Sequence, residues 1–123
     1  MHLKIDNNMS KFLTILIIFT GEVFAIFAEV VAAKYYSFDN AKFFNIFLKA
    51  LPIIIIGCIL LLFGYMLGLR SFKNIWIVSA ISITSILISE PIINYFVTHQ
   101  LPTTGALIGF ILGILGFFSA IFF

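Results

Sequence analysis

The sequence predicts an all-α integral membrane protein, a four-transmembrane-helix bundle in one domain, and three observations predict it. Of its 123 residues 63% are hydrophobic and only 10% are charged, too apolar for a soluble core of this size to hide. The apolar residues fall into four runs, with spans expected at 12–35, 45–69, 75–97 and 104–122. Each run approaches or exceeds the roughly 20 residues that cross a ~30 Å hydrocarbon core. The stretches outside the runs are short and hold seven of the twelve charged residues, Lys4, Asp6, Lys11, Asp39, Lys42, Arg70 and Lys73.

The first span is the one around which the chain is organised. Its apolar run is too long for the h-region of a signal peptide, and its second half, TGEVFAIFAEVVAAKYY, carries Glu22 and Glu29. A charged side chain at a membrane helix centre costs about 2.5–3.5 kcal/mol on insertion scales, so two of them call for a function or a partner. Seven residues apart, they return to nearly one azimuth about 10.5 Å apart along the axis. Ala25, Ile26, Ala32, Ala33 and Tyr36 share that face. The span closes on Lys34, Tyr35 and Tyr36, an interfacial cluster of a cation and aromatics.

The second span is entered past Lys49, which can snorkel to the headgroups, and Pro52, near the start of its deeper part. Gly57, Gly64 and Gly68 give this helix one thin side, and Tyr65 is a candidate cavity-lining residue. The basic loop 70–74 is so short that the third span must return antiparallel beside the second. Trp76 stands at its entry as an interfacial anchor. Ser79, Ser82, Ser85 and Ser89 then wind along it as a hydroxyl stripe, followed by Glu90, Pro91 and Asn94. Pro91 is expected to kink this helix. The fourth span has no charge and places Gly105, Gly109, Gly113 and Gly116 in a stripe of the small-xxx-small kind that packs helices closely.

Several classes of function are excluded on residue inventory. Cys58 is the lone cysteine, and the two histidines, His2 and His99, lie far apart, so a metal site has nothing to build on. No phosphate-binding loop occurs. No enzyme activity, cofactor or nucleic-acid partner is expected; the expected partners are the lipid bilayer, a small-molecule or lipid substrate, and protons. Basic residues divide between Lys4, Lys11, Arg70 and Lys73 on the terminal face and Lys34, Lys42 and Lys49 on the other. That is almost no positive-inside bias, and it leaves insertion in both orientations open.

At this point the residues resemble the small multidrug resistance transporters, within the wider drug/metabolite transporter superfamily. Ala28-Glu29-Val30-Val31 looks like the family's motif around its essential glutamate. Ser37-Phe38-Asp39 follows at about the family distance, and LIGFILGILGFF, with Gly109, Leu112, Gly116 and Phe117, is similar to its dimerisation stretch. The chain departs from the family in lacking the tyrosine-x-x-tryptophan signature of the third helix and the substrate-facing tyrosine of the second. From HQLP through Gly109 it also resembles the four-helix subunits that flip lipid-linked aminoarabinose. The resemblance implies an antiparallel homodimer, or a pair with a homologous subunit, in the cell (inner) membrane. Gly109, Gly113 and Gly116 would then pack the protomers together.

Glu29 is the leading candidate for substrate and proton binding. A desolvated carboxyl binds a proton or a cation but not both well at once, and that exclusivity is proton-coupled exchange. Glu22 either shares that load or is hydrogen-bonded to the serine stripe. Ser82 and Tyr65 are further candidates, as is Glu90, which reads equally as an interfacial carboxylate at a bend. The expected function is proton-coupled export of a hydrophobic cation or small metabolite. A lipid-linked sugar flippase subunit and a non-transporting subunit of a membrane complex are the alternatives. A four-helix anion channel finds no copy of its asparagine-bearing pore here, and carboxylates repel anions.

Overall fold

A computed structural model describes residues 7–123; His2 and Lys4 lie outside the described residues. Four α-helices follow one another: α1 (Asn7–Tyr36), α2 (Phe43–Phe72), α3 (Ile75–Thr98) and α4 (Thr104–Phe122). The first three are long and apolar enough to cross a membrane. At 1.5 Å per residue, α1 and α2 run about 45 Å and α3 about 36 Å, so their ends pass beyond a ~30 Å hydrocarbon core. α4, with 19 residues, reaches about 28 Å. Large apolar side chains such as Ile59, Leu62, Met66, Phe96 and Leu112 stand exposed all along the surface, the surface a lipid solvent requires.

The turns are built from capping chemistry. Lys73 ends α2 in the left-handed region (φ 58°) and donates its amide to the Leu69 carbonyl. Asn74, the next residue, caps α3 by accepting the Trp76 amide at 2.9 Å. His99 closes α3 in the same way (φ 57°), with its amide on the Tyr95 carbonyl. Thr103 opens α4 by accepting the Ala106 amide at 3.1 Å. α2 and α3 run through Pro52 and Pro91 without a break.

The core is an antiparallel seam between α1 and α2. On α1, Thr14, Ile18, Gly21, Ala25 and Ala28 follow a 4-3-4-3 spacing and all are buried. On α2, Gly57, Gly64, Gly68 and Ser71 are buried and, with half-buried Leu61, follow the same spacing. This is the heptad seam of a coiled coil filled with small residues, which lets the backbones close. A Cβ on Gly57 would lie 3.0 Å from the Gly21 carbonyl oxygen, and one on Gly64 would lie 2.6 Å from Ile18 Cγ1. Ser10 and Ser71 join their hydroxyls at one end of the seam.

α3 lies against the other side of α1, parallel to it, and touches α2 little. Among the described residues α4 packs on α3 alone. The helices therefore form a three-helix group centred on α1, with α4 set against its flank.

Candidate functional site

Glu22 sits at the middle of α1, buried between α1 and α3. Ser82 of α3 donates its hydroxyl to Glu22 Oε1 at 2.5 Å. The helices are parallel, so the pair forms a rung between them. The same spacing recurs one heptad on: Glu29 lies seven residues after Glu22, and Ser89 seven after Ser82. That second rung is not closed. Glu29 is exposed, and the Ser89 hydroxyl oxygen is buried with no hydrogen-bond partner among the described residues.

The unpaired Ser89 stands out against the other hydroxyls of the helices. Thr14, Thr20, Ser71, Thr84, Ser85 and Thr98 each donate to the carbonyl four residues earlier. That is the usual way a hydroxyl is satisfied where water is absent. Ser89 makes no such bond, and a buried polar group without a partner costs about 1–3 kcal/mol.

A tie between α1 and α3 lies beyond the open rung. Lys34 donates from Nζ to the Val97 carbonyl at 2.8 Å. Val97 stands in the last turn of α3, whose carbonyls have no helical partner. A cation there also meets the negative end of the helix dipole. The sequence marks Lys34 as an interfacial anchor; its bond to α3 crosses 63 positions and leaves no local trace in the chain.

Two cavities flank the C-terminal half of α1. One, of about 770 Å³, lies between α1 and α2 and is lined by Ala28, Ala32, Tyr35, Lys42, Lys49 and Ile53 among others. The other, of about 620 Å³, lies among α1, α3 and α4, with Lys34, Asn94, Thr98 and Gln100 on its walls. Neither is lined by Glu22, Glu29, Tyr65, Ser82 or Glu90. Glu29 stands on the ridge between them, with Ala28 on one wall and Val30 on the other. Tyr65 and Glu90 are half-buried, and neither is a partner in the Glu22–Ser82 bond. Among the described residues no three His, Cys, Asp or Glu side chains cluster as metal ligands would.

The α4 glycines divide. A Cβ on Gly113 would lie 2.9 Å from Leu87 Cδ2 of α3, so this glycine is covered within the chain. Gly105, Gly109 and Gly116 have open space where a side chain would stand. Comparison with family models, with curated proteins and with solved structures finds no match to this chain.

Proposed function

We propose that this chain is a small membrane transporter in which Glu29 exchanges a proton for a hydrophobic cation or a small metabolite. The open rung carries this reading. Where Glu22 and Ser82 satisfy one another, Glu29 and Ser89 leave a carboxylate exposed and a buried hydroxyl without a partner at corresponding positions. A ligand that carries a positive charge, or a hydrogen-bond donor, finds an acceptor at Glu29, and protonation of Glu29 removes the charge that held it. The reading includes an inner-membrane location and a kinship with the small multidrug resistance transporters. A second copy of the chain, or a homologous subunit, would complete the site; Gly109 and Gly116 on the uncovered face of α4 support such packing.

A lipid-linked substrate is the second reading. Glu29 faces outward from the three-helix group and not into a closed cavity, as a laterally entering substrate would need.

The test is transport in proteoliposomes under an imposed proton gradient, with internal pH followed by a trapped dye. Tetraphenylphosphonium serves as the hydrophobic cation and a short-chain polyprenyl phosphosugar as the lipid substrate. Wild type should dissipate the gradient with one of them, Glu29→Gln should not, and Glu22→Gln should retain activity with a changed pH dependence. Gradient dissipation by Glu29→Gln at the wild-type rate would exclude the mechanism. Inactivity of the wild type toward both substrates would favour a non-transporting subunit.

A further inference from the structure

We infer that the cavity between α1 and α2 is a binding site for one acidic phospholipid, a role independent of the transport reading. The glycine seam that closes the two helices ends at Gly57. Beyond it α1 presents Ala28 and Ala32, and α2 presents Ala50 and Ile53, around the cavity of about 770 Å³. These residues give it an apolar floor of small side chains, wide enough for an acyl chain. Its mouth is different in chemistry: Lys42, Lys49, Asn40, Asn45 and Tyr35 all line it, and no carboxylate does, Asp39 of the adjoining loop included.

Lys42 and Lys49 are seven residues apart on one face of α2, about 10.5 Å along the axis, and both are exposed. One stands at the helix start and the other two turns deeper, so a phosphate reached by both would sit at headgroup depth. The start of α2 adds to this, because Lys42 as N-cap makes no side-chain hydrogen bond to the first turn. The amides of that turn keep their partial positive charge at the helix end that carries Lys42. A cationic rim over an apolar floor fits an anionic amphiphile. A free phosphate would make no use of the floor, and a zwitterionic lipid would bring its own cation to the lysines. The bilayer presents acidic phospholipid at this depth and at high local concentration.

The experiment is lipid retention by the full-length protein in detergent, read by native mass spectrometry after addition of phosphatidylglycerol or phosphatidylcholine. One phosphatidylglycerol per chain should be retained in preference to phosphatidylcholine. Lys42→Gln/Lys49→Gln should lower that retention roughly tenfold, since each lysine near an anionic lipid surface contributes a several-fold factor. Arg70→Gln/Lys73→Gln, at the opposite end of α2, should leave it unchanged, and helix content by circular dichroism should be equal in all three proteins. Inorganic phosphate at tens of millimolar should not displace the lipid. Equal retention of the two lipids, undiminished retention by the Lys42/Lys49 variant, an equal loss in the Arg70/Lys73 variant, or displacement by phosphate would each overturn the proposal.

Discussion

The Ser82 hydroxyl meets Glu22 Oε1 at 2.5 Å across the α1–α3 interface, so a carboxyl group at the middle of a membrane helix is matched by a donor from its neighbour. Together with the Lys34–Val97 bond farther along the same interface, this bond fixes the axial register of two parallel helices that elsewhere bury apolar groups such as Ile26 and Val78. Apolar contacts alone tolerate sliding; one buried hydrogen bond to a carboxyl does not, because every other register strands a polar group in an apolar interface.

Removal of that donor should therefore be costly. Ser82→Ala leaves the carboxyl buried without its partner and is expected to destabilise the fold by about 1–3 kcal/mol. Ser79→Ala, on the same stripe but only half-buried, should fall within ~0.5 kcal/mol of wild type. Unfolding in mixed micelles by increasing sodium dodecyl sulfate distinguishes the two, and equal midpoints would show that the bond does not hold the interface.

The glycines of α2 and α4 should respond oppositely to a single added methyl group. At Gly64 it would stand 2.6 Å from Ile18 Cγ1, whereas at Gly109 it meets nothing within 4 Å. Gly64→Ala is expected to cost about 1–3 kcal/mol through overpacking, and Gly109→Ala to be neutral or to gain up to about 1 kcal/mol in helix propensity. The same micelle titration reads both. If the proposed dimer packs through α4, the bulkier Gly109→Leu should lower the dimer fraction in sedimentation while leaving the monomer's helix content unchanged.

This contrast shows what could be read in the sequence and what could not. The all-helical fold and the long apolar helices were legible because hydrophobic runs of that length have few other uses. The two glycine sets look alike as strings, and which of them closes an intrachain seam depends on a partner helix. Gly57, Gly64 and Gly68 meet Gly21, Ile18 and Thr14 because the matching 4-3-4-3 spacing on α1 runs antiparallel to theirs. Gly113, grouped by spacing with Gly109 and Gly116, is set apart by Leu87 of another helix. The site divides in the same way. Glu22 and Glu29 share an azimuth on α1, but only α3 decides that the first is covered and the second exposed. The Lys34–Val97 bond gave no signal at all, since a carbonyl acceptor has no residue type.

Lys34→Met keeps the apolar stem of the side chain and deletes the donor. The last-turn carbonyl of Val97 then loses its partner and the favourable charge at the helix end, together worth about 1–2 kcal/mol. Amide hydrogen exchange should accelerate in the final turn of α3 and remain unchanged at the α2–α3 turn near Asn74. Unchanged exchange throughout would mean that the bond adds nothing to the tie between α1 and α3.

Ser89 offers the sharpest separation of stability from function. Among the described residues its hydroxyl is buried and unpartnered, so Ser89→Ala removes an unsatisfied group and almost no volume. Stability should be unchanged or rise by about 1 kcal/mol, the opposite of Ser82→Ala on the same helix face one heptad earlier. A polar group kept at such a cost has a use that folding does not supply. If the open rung is where a ligand or proton meets Glu29, Ser89→Ala should also slow proton-coupled transport, and Ser89→Thr, which restores a hydroxyl, should recover part of it. The two measurements are a detergent unfolding midpoint and a proteoliposome flux. A midpoint that falls as far as that of Ser82→Ala would show that Ser89 is a structural partner after all. A raised midpoint with undiminished flux would remove Ser89 from the transport site and leave Glu29 to act without it.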